Sequence, residues 1–410
     1  MSDSHERFSR RVPWHLPQNP LSQAVAARRR LGLPLLDLTV SNPTAALPEL
    51  YEPSLLAPLA DPRGLRYEPS PQGHPEAREA VAAYYRRRGL TVDPQHVVLS
   101  ASTSEAYAWL FQLLCEPGER VLFPVPSYPL IELLAGVCGV QVDPYALYYD
   151  GRWRIDAAAL ERELTPTTRA LVLVSPNNPT GSFLHRDELA PLLALCARRG
   201  VALIVDEVFG DYPLDALTAE GDAEAAGGDA AVPSLLELAA PEALVFVLSG
   251  LSKVVGLPQL KLGWIVIRGP EPLRTQAQDR LEILADTFLS VGTPVQLAAP
   301  SLLAQAERLR AAISLRTRHN LTALSAAVAD TACQLLPVEG GWYAVLRLPR
   351  VLSEEEWALA FLEAGVLCQP GYFFDFAEEA FVVVSLLCRP EPFLLGVRRI
   401  VERVQAELDR

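Results

Sequence analysis

Residues 170–209 read ALVLVSPNNPTGSFLHRDELAPLLALCARRGVALIVDEVF. Two short apolar runs, Ala170–Val174 and Ala202–Val205, flank a segment with helical periodicity, Asp187–Arg199. Short apolar runs without polar alternation are typical of strands that are buried on both faces. A strand, a helix and a second strand in this order form the repeating unit of a parallel sheet. This stretch therefore predicts an α/β fold.

The same alternation extends over residues 64–270. Four further apolar runs predict buried strands, at Val97–Leu99, Val121–Phe123, Val245–Leu248 and Trp264–Ile267. Helical patterns lie between several of the runs, at Glu105–Leu114, Tyr128–Gly136 and Ala157–Leu164. In parallel sheets, ligands bind at the carboxyl ends of the strands. We therefore expect the functional side chains directly after the apolar runs.

The pattern changes after residue 270. Two long helical patterns are followed by two predicted strands, at Leu273–Leu289, Pro294–Val328, Trp342–Leu348 and Phe381–Leu387. These elements predict a second, smaller α+β domain. We predict an N-terminal segment, 1–45, that joins the small domain, a large domain over 46–285, and the small domain over 286–410. Asp211–Ala240, which is rich in Ala, Gly, Asp and Glu, is interpreted as a surface insertion.

Composition excludes several classes of protein. The residues are 50% hydrophobic and 21% charged, a composition that excludes a disordered chain. The length of 410 residues exceeds what a single hydrophobic core usually supports, so we expect more than one domain. The net charge of −13, without a dense basic run, argues against nucleic-acid binding. We find no secretory signal and no apolar stretch long enough to span a membrane. The six scattered cysteines predict reduced thiols rather than zinc ligands or disulfides, and hence a cytoplasmic protein.

Lysine usage is uneven. The 36 basic residues include two lysines, Lys253 and Lys261, eight residues apart. Lys253 follows the predicted strand Val245–Leu248, so its amine is expected at the edge of the sheet. A desolvated lysine can form a Schiff base with an aldehyde, which arginine cannot do. The alternative is an ordinary lysine in a surface loop.

Asp206 ends the predicted strand Ala202–Val205, so its carboxylate is expected to be partly buried. A buried carboxylate requires a partner. A protonated ring nitrogen would be such a partner. Capping of a nearby helix or pairing with an arginine is equally compatible with this segment.

Three other predicted strands end in polar or aromatic residues. Ser102–Glu105 has the pattern of a capping box, which places backbone N–H groups and hydroxyls where a phosphate could bind. Asn177–Gly181 is either a simple turn or a source of amide donors. Tyr128 could stack on a flat ring or belong to the core. An amine, a carboxylate, a phosphate site, an amide and an aromatic ring are what a phosphorylated pyridine aldehyde requires.

At this point the sequence resembles the fold-type I pyridoxal-phosphate enzymes, specifically the class I/II aminotransferase family, over Leu36–Arg403. The motifs that carry the resemblance are Tyr67–Gly73, Ser102–Ala106, Pro126–Tyr128, Asn178–Gly181, Asp206–Phe209, Ser252–Lys253 and Lys261–Trp264. The resemblance implies a large domain with a mostly parallel sheet of the seven-stranded type between helices, plus a smaller α+β domain. It also implies pyridoxal 5′-phosphate as cofactor and a homodimer with shared active sites.

The resemblance assigns roles residue by residue. Lys253 corresponds to the Schiff-base lysine, which also moves the proton between the substrate Cα and the cofactor. Asp206 corresponds to the partner of the pyridinium nitrogen, Asn178 to the donor for the phenolic oxygen and Tyr128 to the stacking aromatic. The residues in the phosphate-binding stretches are Ser102, Thr103, Ser104, Ser252 and Lys261. Tyr67 matches the tyrosine that reaches the phosphate of the neighbouring subunit.

The chain departs from the family pattern around the cofactor. Lys261 stands where the family usually has a phosphate-binding arginine, which replaces a bidentate fork by a point charge. Gly250 stands where many members have a serine. Phe209 replaces a tyrosine that donates to the phenolic oxygen, so Asn178 would act alone unless Tyr212 took over that bond.

A further departure concerns the substrate. Val383 stands where the family has the arginine that binds the substrate carboxylate, and Arg389 could compensate from another register. The aromatic stretch Gly371–Phe376 is expected either to suit an apolar substrate or to be core packing. We name Ser41, Arg389 and Tyr372 as candidate substrate contacts.

These observations predict an aminotransferase that moves an amino group between an amino acid, or a related amine, and a 2-oxo acid. The alternative within the same cofactor chemistry is a lyase, cyclase or decarboxylase, because Val383 replaces the carboxylate-binding arginine. A non-enzymatic binding protein on the same scaffold is a third reading.

Overall fold

The computed structural model describes residues 9, 11, 19–214, 231–232, 234–238, 241–378 and 380–410. The strands are β1 (Leu36–Asp37), β2 (Val97–Ser100), β3 (Arg120–Val125), β4 (Gln141–Ala146), β5 (Tyr148–Tyr149), β6 (Trp153–Arg154), β7 (Thr168–Val174), β8 (Ala202–Asp206), β9 (Val245–Gly250), β10 (Gly263–Arg268), β11 (Gln334–Leu335), β12 (Tyr343–Arg347), β13 (Val366–Leu367), β14 (Gln369–Pro370) and β15 (Phe381–Ser385). The helices are α1 (Pro20–Arg30), α2 (Pro43–Ala46), α3 (Pro75–Arg87), α4 (Thr103–Leu114), α5 (Leu130–Cys138), α6 (Ala157–Glu163), α7 (Arg186–Arg199), α8 (Leu251–Val254), α9 (Glu271–Phe288), α10 (Thr293–Ala304), α11 (Ala306–Val328), α12 (Glu354–Glu363) and α13 (Pro390–Leu408).

The central sheet has seven strands in the order β2-β10-β9-β8-β7-β3-β4. Among these described strands only β10 runs against its neighbours, and the other pairs in the sheet are parallel. The predicted mostly parallel α/β sheet is therefore confirmed, and the six apolar runs lie in β2, β3 and β7 to β10. The edge strand β4 was not predicted, because its side chains are mostly exposed or half-buried and only Tyr145 is buried.

Helices cover both faces of this sheet because successive side chains of each strand point to opposite sides. Leu203 and Val205 of β8 pack in the core that includes α3 and α7. Ala202 and Ile204 pack in the core of α4, α5 and α9. Burying one such aliphatic side chain contributes about 1.5–3 kcal/mol. The α/β layers therefore hold the carboxyl ends of the parallel strands at one edge.

The second unit contains an antiparallel sheet in the order β11-β12-β15-β14 and a short parallel pair of β1 with β13. Leu38, just after β1, packs with Trp357 and Phe393 in the core of this unit. The segment that contains β1 therefore packs in this core. The three domain ranges stay a prediction.

One long helix was predicted over 294–328, and the structure has two helices that meet at Gln305. The N–H of Gln305 donates to Leu302 and Leu303 and closes α10. Val295 and Leu302 of α10 pack in the core of the large unit, beside α3. Helix α10 therefore packs with the large unit.

The predicted insertion, Asp211–Ala240, lies partly outside the described residues, which omit 215–230. Its described ends are not on the surface, since Tyr212, Leu214 and Val232 are buried. The N–H of Leu214 donates to the main-chain carbonyl oxygen of Glu339 at 2.9 Å, which connects this end to the small unit. The prediction of a surface segment is therefore wrong for these flanks.

Among the described helices, none has the length and apolar character required to cross a membrane.

Candidate active site

A cavity of about 430 Å³ opens at the carboxyl ends of the parallel strands. Ten predicted site residues line it, namely Ser41, Ser102, Thr103, Ser104, Tyr128, Asn178, Asp206, Ser252, Lys253 and Lys261. Three predicted residues, Tyr67, Arg389 and Tyr372, are not part of its wall. Cavities of a few hundred Å³ are of the size that holds a cofactor and a small substrate.

Lys253 lies on α8, directly after β9. Its Nζ is 4.4 Å from the centre of the Trp342 ring and 4.9 Å from that of Phe209. Burial lowers the pKa of Lys253 to about 8, although the charge of Asp206 acts in the opposite direction. Near neutral pH this amine is therefore more often the uncharged nucleophile than an exposed lysine is.

Asp206 ends β8. Its Oδ1 accepts from the N–H of Val208 at 3.0 Å and its Oδ2 from the hydroxyl of Tyr107 at 3.1 Å. Burial raises the pKa of Asp206 to about 6 despite these hydrogen bonds and the charge of Lys253. Within the described ranges no arginine forms an ion pair with this carboxylate, so the alternative of an arginine partner is not observed. The carboxylate is thus poised to receive a cationic group inside the cavity.

Tyr107 also lines the cavity and is not among the predicted site residues. It lies on α4, five residues after Ser102. The signal available in the sequence was a tyrosine one helical turn beyond a predicted phosphate site. Its partner, Asp206, is 99 residues away in the chain. Only the packing of α4 on the face of the central sheet brings the two side chains together.

The first turn of α4 forms a place for an anion. The Ser102 hydroxyl accepts from the N–H of Glu105 at 3.1 Å, as predicted. The Glu105 carboxylate, however, accepts from the N–H of Ala101 at 2.6 Å, so the second half of the predicted capping box is wrong. The N–H groups of Thr103 and Ser104 have no intrahelical acceptor, because they begin the helix. They and the positive helix end suit a phosphate.

Close backbone packing explains the glycine at position 250. A Cβ built there would lie 2.9 Å from the Leu262 oxygen and 3.0 Å from Gly263 Cα. The serine that relatives place here therefore does not fit this backbone. Lys261, two residues before Gly263, has a φ of 52° and lies at the cavity wall. Nothing in the structure explains why it is a lysine rather than an arginine.

Phe209 leaves the Asn178 side chain without a neighbouring tyrosine donor. Tyr212 does not take that place, because its hydroxyl donates to the carbonyl oxygen of Lys253 at 2.6 Å. The Oδ1 of Asn178 is buried and has no hydrogen-bond partner in the described part of the chain. Since the amide oxygen and nitrogen can be exchanged by a flip, the group can donate or accept. A buried amide with unused hydrogen-bonding capacity in a cavity fits a polar ligand.

Val383 is fully buried in β15. It packs with Trp153, Phe374 and Phe381. The aromatic residues of Gly371–Phe376 therefore include core packing, which was one of the two expectations for this stretch.

Arg389 is exposed at the start of α13, and Tyr372 is 37% exposed. The structure does not bring either side chain to the cavity. Among the described residues of the wall, the cations are Lys253 and Lys261.

Tyr67 is 79% exposed. It lies in a separate depression that also includes Leu289 and Gly292. Within one chain it therefore does not contribute to the Lys253 cavity.

Comparison with known proteins agrees with this geometry. The family model for aminotransferase class I and II matches residues 35–389. The aspartate/prephenate aminotransferase of Thermus thermophilus is 29% identical over 393 residues, 93% of each chain. Bovine tyrosine aminotransferase is 29% identical over 238 residues, which span 58% of this chain and 50% of that enzyme.

The fold has close counterparts among solved structures. Alanine aminotransferase from Pyrococcus furiosus superposes with a TM-score of 0.82 at 22% identity, covering 98% of this chain and 100% of that one. At this identity the likeness shows the fold. The fold-type I architecture and the aminotransferase assignment at the level of the family are both confirmed. The chain belongs to the aminotransferase class I and II family.

Proposed function

We propose that this enzyme uses pyridoxal 5′-phosphate to move an amino group between an amino acid, or a related amine, and a 2-oxo acid. The observation that carries the proposal is the presence of two buried groups of opposite charge, an amine and a carboxylate, in one cavity. Lys253 has a pKa lowered to about 8 and Asp206 a pKa raised to about 6, both by burial. Such perturbed pairs in clefts are typical of acid–base catalytic sites.

The residues of the cavity fit the cofactor. The first turn of α4, with Ser252 and Lys261, would hold its phosphate. Asp206 would hold the ring nitrogen, and the unpartnered amide of Asn178 would bind the phenolic oxygen. When bound, pyridoxal 5′-phosphate supplies an aldehyde that condenses with amines and a ring that accepts an electron pair.

The side chains divide the work around that group. Lys253, once released from the cofactor, would take the proton from the substrate Cα and deliver it to the cofactor, and its lowered pKa favours the uncharged amine needed for this at neutral pH. Trp342 and Phe209 cover its amine and exclude water from it. Asp206, ionised above about pH 6, would keep a proton on the ring nitrogen by its negative charge.

A half-reaction screen tests this function. Purified protein loaded with pyridoxal 5′-phosphate is incubated with single amino acids and amines, and the visible spectrum and released products are followed. We expect at least one donor to convert the cofactor to its pyridoxamine form and to release the matching oxo compound. Release of ammonia, carbon dioxide or a cyclic product, with the cofactor unchanged, would instead favour a lyase, decarboxylase or cyclase. Protein that never becomes yellow would contradict both.

We further propose that two copies of the chain share their active sites. Leu65 is 91% exposed, Tyr67 lies two residues further, and Phe288 and Leu289 at the end of α9 are also exposed. Clustered exposed apolar side chains typically mark a protein–protein contact. A second copy on this face would bring its Tyr67 towards the cofactor site, as the family resemblance implies.

Light scattering should therefore give a particle of twice the chain mass. Leu65→Glu should shift it to the monomer and weaken cofactor binding, because a charge would be buried in the contact. Leu315→Glu, at an exposed leucine on α11, serves as the control and should change neither property. A monomeric wild-type protein with full activity would refute the shared site.

We also propose a cytoplasmic location, which is supported by six cysteines that form no disulfide.

A further inference from the structure

Tyr212 is fully buried behind the cavity rather than in its wall. Its hydroxyl donates to the carbonyl oxygen of Lys253 at 2.6 Å. The two residues are 41 positions apart and belong to different segments, one after β8 and the other on α8. The hydrogen bond therefore joins the loop that follows Asp206 to the main chain of the reactive lysine.

The carbonyl of Lys253 needs such a partner. Helix α8 has four residues, a single turn, so its last carbonyls have no regular intrahelical donors. The N–H of Gly256 approaches the same oxygen at 3.3 Å, which is a longer contact than that of Tyr212. The Tyr212 hydroxyl is therefore the shorter of the two restraints on the main chain from which the Lys253 side chain extends.

Tyr212 is itself held from several sides. Its N–H donates to the carbonyl oxygen of Phe209 at 2.9 Å, and its own carbonyl oxygen accepts from the N–H of Gly341 at 2.9 Å. Its ring packs edge-on against Trp342, with 5.0 Å between centres. Trp342 is also the ring that faces the Lys253 amine. The two packed rings thus contact both ends of the lysine: the Tyr212 hydroxyl contacts its carbonyl oxygen and the Trp342 ring faces its amine.

The residue before Tyr212 adds an anchor of buried charges. The Asp211 side chain is 2% exposed and pairs with Arg310 at 2.6 Å and with Arg88 at 3.3 Å. It also accepts from the hydroxyl of Tyr84 at 2.6 Å. A buried carboxylate with three polar partners cannot move without losing them. Tyr212 therefore donates from a segment that has little freedom.

We propose that Tyr212 is a positioning residue whose hydroxyl fixes the Lys253 main chain, so that the amine returns to one place each time it is released. The proposal rests on Lys253 being the reactive amine of the proposed function. Tyr212 touches neither the cavity nor the reacting atoms, so its effect passes through Lys253. A misplacement of about 1 Å can cost up to about 100-fold in rate.

The test compares Tyr212→Phe with Tyr145→Phe. Each change removes one buried hydroxyl that donates to a main-chain carbonyl, and Tyr145 donates to Val172 at 2.8 Å, away from the lysine. In cofactor-free protein, acetylation of Lys253 is measured against pH by mass spectrometry. We expect Tyr212→Phe to move the midpoint upward by at least half a pH unit, because a less confined amine is more solvated. Tyr145→Phe should keep the wild-type midpoint. The charged group facing the amine is Asp206, which both variants retain.

Kinetics of the loaded enzyme provide a second readout. For Tyr212→Phe we expect kcat to fall at least tenfold with KM changed less than twofold, and for Tyr145→Phe neither to change. If Tyr212→Phe kept both the wild-type pH midpoint of Lys253 acetylation and the wild-type kcat, the proposal would be overturned. So would a Tyr212→Phe protein that does not fold beside a folded Tyr145→Phe, since Tyr212 would then serve the fold alone. Absence of any aminotransferase activity in the wild type would instead refute the proposed function, and the acetylation midpoints would still decide the role of Tyr212.

Discussion

Lys253→Arg is expected to lower kcat by at least about 10⁴-fold, because the variant loses both the covalent attachment and the general base. Arginine keeps the positive charge and much of the length, and the chain uses it at nearly all other basic positions. It cannot form a Schiff base, and it stays protonated at all accessible pH values. The change therefore isolates the chemistry of the amine from its charge.

Borohydride and mass spectrometry check the covalent part. Reduction of loaded wild-type protein should fix the cofactor to the peptide that contains Lys253, and the variant should show no such adduct. Lys261→Arg is the matched comparison in the same cavity. It keeps a cation near the phosphate, so we expect the cofactor to bind and the adduct at Lys253 to be preserved. An active Lys253→Arg enzyme, or an adduct at Lys261, would refute the assignment.

Asp206→Asn is expected to lower kcat by about 10²–10³-fold, the usual effect of removing one preorganised charge from a closed site. Asparagine keeps an oxygen that accepts from the N–H of Val208, and its amide N–H can donate to the Tyr107 hydroxyl oxygen, so geometry is largely preserved although the second hydrogen bond is reversed. The negative charge that would keep a proton on the facing nitrogen is lost. The natural control is Glu207→Gln, because Glu207 is an adjacent buried carboxylate that binds Ser234 and Leu235 outside the cavity. We expect this control to retain activity.

Stability gives Asp206→Asn an independent readout. Burial raises the pKa of Asp206 from 3.8 to about 6, so between these values the native state binds more protons than the unfolded state. The contribution of this group to stability therefore falls as pH rises from about 4 to 6 and stays unfavourable above that range. Cofactor-free Asp206→Asn should consequently be at least as stable as wild type at pH 8. The loaded variant should lose the extra stability that the cofactor gives wild type. A cofactor-free variant that melts well below wild type at pH 8 would contradict this account.

Much of the site follows from local sequence. A strand end at the carboxyl edge of a parallel sheet is a short-range feature, since the apolar run and the residue after it are neighbours in the chain. Lys253, Asp206 and Asn178 all line the cavity for this reason. Ser102 at the start of α4 is equally local, because a helix cap depends on the next three residues.

The contacts that tune these groups could not be read from the sequence. The hydroxyl of Tyr107 reaches Asp206 across 99 positions and that of Tyr212 reaches Lys253 across 41. Neither residue belongs to a motif, and each would pass for a core tyrosine in its own segment. The Tyr212 hydroxyl, which the sequence left open as a replacement donor for the phenolic oxygen, is instead engaged with the Lys253 carbonyl oxygen.

The sequence by itself determined the α/β sheet, the edge where the cavity opens and the amine and carboxylate that line this cavity. Those features follow from apolar periodicity and from residue types that no other side chain can replace. Only the tertiary structure decided how far the two pKa values move, which aromatic rings enclose Lys253 and that packed aromatics bury Val383. The physical reason is that desolvation depends on every group packed around an atom, and these groups come from segments that are distant in the chain.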